Sequence, residues 1–366
     1  MKKIINLFFA VIFATGFFIS AHTAQGQKIP VHKNLKFVSF PDFFNFDIPG
    51  SWPGYDTAVH YFLGQVKAEQ PDFVLVAGDL VNGHWWDGPR CVEHMGSIYY
   101  TGWINRMKEH GLKYYTAVGD HELGDDPWPP EKIKLIQHLE KVYCEHLKMP
   151  MNGPEHKKGL AYYVRKGNLL LVTVETFEVK DDSMHLDVTG EQLQWLKKVL
   201  SDNSDAAFKI VQGHIPIWGE IKSRSSSRLM LANGKNSEFY KTLKEYGVDL
   251  YLAGEFHDVT VLESGGIWQI VHGSSWGREI VNTEDYLVGE ITGDDLILSM
   301  KRIYMDARGE YMWNLNKERG PRERMSINEK TLKNGPEITG TITIRKTDGN
   351  KQYVNRTGIF QERINQ

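Results

Sequence analysis

Five short apolar runs in this chain each end in a side chain of a metal-ligating type. They are KFVSFPD ending at Asp42, DFVLVAGD ending at Asp79, KYYTAVGD ending at Asp120, FKIVQGH ending at His214, and DLYLAGEFH ending at Glu255 and His257. Val, Ile, Tyr and Phe dominate the runs, and Gly or Pro breaks each one at or just before its tip. Buried strands of an α/β sheet read this way. In open α/β sheets, ligands bind beyond the carboxyl ends of the strands. A single run ending in a polar residue signals only a turn. Five of them, three with Gly-Asp or Gly-His at the tip, point to one shared site, and carboxylate together with imidazole suits divalent metals.

Between these runs the chain alternates. Residues 57–69 place Val59, Phe62, Leu63 and Val66 at helical spacing, and residues 99–110 and 130–147 read as further helices. Residues 161–176 read as a strand pair turning at Lys166-Gly167-Asn168. The spacing of Leu193, Trp195, Leu196 and Leu200 predicts a helix over 189–200 with Thr189 as its N-cap, and another follows at 236–246. After His257 four strand-like runs follow: VTVLES, GIWQIVHG, DYLVGEIT and DLILSMKRI. Strand–helix alternation leading into a strand-rich half predicts an α/β fold of two mixed β-sheets packed together with helices outside. The polar stretch 306–366 reads as an extension, either an edge hairpin around Asp348-Gly349 or a small appended unit.

The start of the chain reads as a secretory leader. Lys2 and Lys3 precede an apolar stretch from Ile4 to Ala21, and Ala24-Gln25-Gly26 offers small residues for cleavage. Gly16 and Ser20 interrupt the stretch, which is short for a membrane anchor of about 20 apolar residues. Residues 1–26 are therefore assigned to a signal peptide and 27–305 to the main domain. The mature chain is expected to be secreted or periplasmic, with no membrane span. Formal net charge is −3, and loss of the two leader lysines makes it −5. A mildly acidic chain without a basic stretch argues against nucleic-acid binding. The two cysteines, Cys91 and Cys144, are able to pair outside the cytoplasm, and two separate thiols is the equal alternative.

The ordered motifs resemble those of the calcineurin-like metallophosphoesterases. That family carries Asp-x-His, Gly-Asp-x-x-Asp, Gly-Asn-His-Asp/Glu, a lone His after a strand, and Gly-His-x-His. Here the series reads Asp42-Phe43-Phe44, Gly78-Asp79-Leu80-Val81-Asn82, Gly119-Asp120-His121-Glu122, Gly213-His214 and Gly254-Glu255-Phe256-His257. The resemblance runs from about residue 36 to 275. It implies a four-layer sandwich, two divalent metal ions and hydrolysis of a small phosphorylated substrate, a phosphate mono- or diester.

Carried across, the resemblance assigns Asp42 and His257 to a first metal, Asp79 to both, and Asp120, His214 and Glu255 to the second. Phe44 stands where the family has a ligating His, and Asn45 and Asp47 are the nearby candidates to replace it. Asp120 replaces the family Asn and Glu255 the family His, so the second site is rich in carboxylate. Hard oxygen ligands shift preference from Zn toward Mn, Fe, Mg or Ca. His121 matches the family's proton donor to the leaving oxygen, a task imidazole suits because it titrates near neutrality. Asn82, where the family has Asp, is expected to orient it through its side-chain carbonyl. His84, in Gly83-His84-Trp85-Trp86, and Arg224 are candidate substrate contacts, with His94 a weaker one and the two Trp residues a candidate aromatic wall. The competing expectation is an inactive metal-binding or scaffold protein that keeps the fold.

Overall fold

A computed structural model describes residues 34–43, 54–224, 226–273, 283–307, 325–347 and 350–361. The leader, Phe44, Asn45, Asp47 and the Asp348-Gly349 turn lie outside the described residues.

The first half alternates as its periodicity predicts: β1 (Leu35–Ser39), α1 (Tyr55–Ala68), β2 (Phe73–Val76), α2 (Pro89–Glu109), β3 (Tyr114–Thr116), α3 (Pro130–Ile133) and α4 (Ile136–Leu147). There follow β4 (Tyr162–Lys166), β5 (Leu169–Thr173), β6 (Phe177–Lys180), β7 (Ser183–Leu186), α5 (Gly190–Asp202), β8 (Phe208–Gln212), α6 (Glu238–Glu245) and β9 (Leu250–Ala253). The strand-rich half holds β10 (Thr260–Ser264), β11 (Ile267–Val271), β12 (Thr283–Thr292), β13 (Asp295–Ala307), β14 (Met325–Ile327), α7 (Glu329–Asn334), β15 (Glu337–Thr347) and β16 (Asn350–Gly358).

Two mixed sheets result. One runs β16-β15-β13-β12-β1-β2-β3, with β14 on β13, and the other runs β10-β11-β9-β8-β5-β4. β1, β2 and β3 are parallel, as are β5, β8, β9 and β11. Side chains alternate across each strand. Phe37, Leu75, Leu171, Ile210, Leu252, Leu298 and Ile342, drawn from both sheets, form one apolar cluster between them. Their chain neighbours Val38, Val74, Val76, Val172, Val211 and Tyr251 join the helices in a second cluster. Strands covered on both faces need apolar residues at every position, which is why the runs are nearly continuous. All parallel strand tips consequently open toward one end.

Several local expectations are corrected. The helix over 130–147 is two, because α3 ends at Ile133 and the buried Lys132 turns inward to donate to the Asp125 carbonyl. α2 begins ten residues before the expected 99, at Pro89, whose fixed φ suits a first helical position. Thr189 precedes α5 but does not cap it through its side chain, since its hydroxyl donates to Glu178 Oε2 at 2.6 Å. The hairpin β6–β7 lies outside the strands expected above, although Phe177, Val179, Met184 and Leu186 alternate with polar residues. It turns on Asp181 and Asp182, both at positive φ (50° and 54°), the requirement of a two-residue primed turn. β15 pairs with β13, so the C-terminal hairpin extends the first sheet. Lys346 and Lys351 fasten it to the buried Asp249 before β9, each at 2.7 Å. Cys91 and Cys144 form no disulfide. Among the described residues no helix is long and apolar enough to cross a membrane.

Candidate metal centre

The turns after β1, β2, β3, β8 and β9 bring Asp42, Asp79, Asp120, His214, Glu255 and His257 to one place, and all six are buried. Asp42, Asp79 and His257 form one group in which a ligating atom of each lies within 4.8 Å of the others. Asp120, His214 and Glu255 form a second, and Asp79 also groups with Asp120 and His121. Asp79 thus stands between the two sets. Four of the six hold left-handed backbone: Asp42 (φ 58°), Asp79 (59°), Glu255 (77°) and His257 (55°). Such conformations cost about 1–3 kcal/mol each and persist where surrounding structure enforces them, typically at functional sites.

Glycine lets the turns approach. A Cβ on Gly119 would lie 2.1 Å from Asp79 Oδ1, and one on Gly254 would lie 2.7 Å from Asp42 Oδ1. The Gly before Asp120 and the Gly before Glu255 are therefore packing requirements of the site. Glu122 closes the same region. Its carboxylate accepts backbone N–H groups from Asp79 (2.8 Å), Leu80 (2.8 Å), Val81 (3.3 Å) and Gly119 (2.7 Å).

Hydrogen bonds set which ligand atoms face inward. His214 Nδ1 lies 2.7 Å from the Ala77 carbonyl, which can only accept, so Nδ1 carries the proton. Nε2 is then turned to Asp120 Oδ1 at 3.0 Å, Asp79 Oδ1 at 3.5 Å and Glu255 Oε2 at 3.6 Å. Asp42 Oδ1 accepts from the Glu255 N–H at 3.0 Å, and Glu255 Oε1 from the Leu229 N–H at 2.9 Å. Asp42 Oδ2 is buried and has no hydrogen-bond partner.

The site holds more negative charge than its own residues balance. Burial pushes the Asp42 carboxyl up to about 8, against the pull of His214. Burial and the charge of Asp120 hold Asp79 well above the usual carboxylate range. Glu255 is pushed up to about 7 by burial and by Asp120. For Asp120 burial acts upward too, but His121 and His214 outweigh it and hold the group down. Burial would lower His214, yet the surrounding carboxylates, Asp79 first, hold it well up. Four crowded carboxylates, an unpartnered Oδ2 and an imidazole with its proton committed elsewhere form a donor set that fits cations.

His121, buried beside these groups, donates its backbone N–H to Asp79 Oδ1 at 3.3 Å. The bond expected between its ring and Asn82 is not formed: Asn82 Oδ1 is buried and accepts none. Beside Asp79 and Asp120, each with an oxygen within 4.8 Å of a His121 ring nitrogen, a further acid faces the ring: Asp125 lies 3.8 Å from Nε2, and its other oxygen lies 3.3 Å from Nδ1 of His84. Neither the clamp of Glu122 nor the place of Asp125 was read from the sequence, although Glu122 closes one of the quoted motifs. Trp85 packs on Tyr99 and Tyr100 in the core, not as a wall of the site, while Lys132 lies over Trp86 at 4.9 Å. His94 is exposed on α2. Arg224 directs its guanidinium to Asp258 (3.2 Å) and Thr283 (3.1 Å), next to His257. Asn45 lies outside the described residues.

Comparisons with known proteins agree with this architecture. The calcineurin-like phosphoesterase family matches residues 31–259. A dimetal phosphatase from Danio rerio is similar in structure, with a TM-score of 0.50 and 12% identity over 72% of this chain and 95% of that one. A purple acid phosphatase from yellow lupin, Lupinus luteus, has a TM-score of 0.52 and 13% identity over 74% of this chain and 52% of its own. No curated protein matches the chain in sequence. At these identities the structures speak for the fold, and the family match spans well over half of the sequence. The family implies a dinuclear divalent metal site, for which the described residues provide candidate ligand groups. The chain belongs to the calcineurin-like phosphoesterase family, hydrolases acting on phosphoric ester bonds.

Proposed function

We propose that this chain is an exported metal-dependent phosphoesterase that hydrolyses a phosphate mono- or diester with His121 as proton donor. The observation that carries this reading is the pairing of two ligand groups, Asp42/Asp79/His257 and Asp120/His214/Glu255, with His121 beside the Asp79–Asp120 junction. Bound there, two divalent cations would draw charge from the phosphoryl oxygens and lower the pKa of water. With four carboxylates among six ligands, Mn, Fe, Mg or Ca fits better than Zn. His121 gives its proton to the departing alcohol oxygen. Asp79 joins the two halves, and Glu122 fixes the turn that presents it. Export rests on the leader-like residues 1–26.

The test is turnover of p-nitrophenyl phosphate and bis(p-nitrophenyl) phosphate by chelated protein reloaded with Mn, Fe, Mg, Ca or Zn. The His121→Ala protein should keep its metal and lose about 10²–10⁴-fold in turnover of an ester with a poor leaving group. Metal-loaded wild type that hydrolyses neither ester would leave a binding or scaffold protein as the better description.

A further inference from the structure

We propose that Asp125 is the positioning residue for His121, taking over the task that Asn82 does not perform, with His84 steadying the acid from its far side. The inference rests on the reading of His121 as proton donor.

Asp125 is held ready for this. Its side chain is 6% exposed, and its backbone is left-handed at φ 65°. A tight turn keeps it there: the Asp120 carbonyl accepts from Leu123 (2.9 Å) and Asp125 (2.8 Å), and the His121 carbonyl accepts from Gly124 (3.2 Å). Lys132 Nζ donates to the Asp125 carbonyl from below. The turn folds the fourth residue after His121 back over its ring, so Oδ1 lies 3.8 Å from Nε2. Contacts of this kind are often long before substrate binds and shorten in the productive complex. Oδ2 faces His84 Nδ1 at 3.3 Å, and the rings of His84 and His121 meet edge to face at 5.5 Å. One carboxylate is therefore shared by a buried imidazole and one 41% exposed. A carboxylate at one ring nitrogen fixes the ring's orientation and tautomer, as a buried acid does for the His of a hydrolytic triad. Asn82, 8% exposed with its Oδ1 unbonded, offers no such hold.

The experiment compares wild type, Asp125→Asn, His121→Ala and the double variant. The substrates are the p-nitrophenyl ester that wild type hydrolyses and its ethyl counterpart. Asp125→Asn is expected to lower kcat on the ethyl ester by about 10–100-fold and on the aryl ester by less than about threefold, with KM and metal content unchanged. The double variant should be no slower than His121→Ala alone, because both changes remove one proton transfer. Equal losses on the two esters, additive losses in the double variant, or a fall in bound metal would each overturn the proposal. Should Asp125→Asn fail to fold, His84→Asn replaces it: a smaller loss confined to the ethyl ester supports the assignment, and equal loss on both esters contradicts it. If wild type hydrolyses neither ester, the functional reading has failed, whereas an active wild type with a silent Asp125→Asn sinks the positioning role alone.

Discussion

Glu122 Oε2 accepts the backbone N–H of Asp79 at 2.8 Å, joining two turns 43 residues apart. The same oxygen takes the Gly119 N–H at 2.7 Å, and Oε1 takes Leu80 at 2.8 Å. The residue that bridges the two ligand groups thus has its left-handed backbone set by a carboxylate that is not itself among them. Bonds from backbone amides to a carboxylate are charge-assisted, and removing the acceptor leaves several buried donors without one.

Glu122→Gln is expected to destabilise the fold by about 1–3 kcal/mol, because one amide end is a donor and faces N–H groups. Metal affinity should fall about 10–100-fold, as for other changes just behind the ligands. Denaturant unfolding and a metal titration read the two effects separately. Unchanged affinity in a destabilised variant would mean that the clamp serves folding only.

Much of the fold was legible because its strands are buried on both faces. FVLV before Asp79 and LYLA before Glu255 are apolar at every position, and Gly then marks where a turn must pass close to a carboxylate. The six candidate ligand positions sit at the ends of such runs, which is what makes them legible as candidates. Asp125 was not legible although it lies at i+4 from His121, since only the turn that folds it back, and loop packing against His84 41 residues earlier, bring it to the ring. The hairpin at 177–186 was not legible because its strands are four residues long with only Phe177 buried, and its Asp181-Asp182 turn lacks the Gly that usually marks one, so the alternation of Phe177, Val179, Met184 and Leu186 is a weak signal. The polar C-terminal segment reads equally as an edge hairpin or an appended unit, because three of the ties that bind it, from Lys346, Lys351 and Tyr353, come from side chains that are elsewhere usually solvated.

Asp79→Asn should remove metal binding and turnover together. Asp79 groups with Asp42 and His257 on one side and with Asp120 on the other, and an amide carries no charge to offset either cation. Elemental analysis of the purified variant checks this, and metal content equal to wild type would contradict the bridging place of Asp79.

His272 sets a pH dependence of stability. Burial pushes its imidazole down to about 4, against bonds to Ser39 and Ile270 that favour the proton. Its Nε2 lies 3.0 Å from Ser39 Oγ on β1. The unfolded chain, at the ordinary value near 6.5, binds a proton that the folded chain refuses. The stabilisation is full above about pH 6.5 and is lost as pH falls toward 4, by on the order of 2 kcal/mol at pH 5. His272→Gln removes the titrating group. Urea unfolding of metal-free wild type and variant at pH 7 and pH 5 should show the variant losing less stability, or gaining more, than wild type as pH falls, whatever the raised carboxyls of the site add to both. Parallel losses in the two proteins would assign the pH effect to other groups.

The last prediction follows from Phe44, an aromatic where the family places a ligating imidazole. The first group offers Asp42, Asp79 and His257, whereas Asp79, Asp120, His214 and Glu255 all stand about the second. Each missing ligand weakens the hold on an ion and eases its escape to water. The centre should therefore be asymmetric, with one cation retained on dialysis and one lost. Phe44→His restores the ligand type. Changes merely behind the ligands shift metal affinity about 10–100-fold, so a whole new ligand should tighten the weaker site by at least about tenfold. The tight site should be unaffected, because none of its residues changes. Calorimetric titration of chelated wild type and variant with Mn separates the two sites. Two sites of equal affinity in wild type would sink the idea, and would leave Asn45 or Asp47 as the source of the missing ligand.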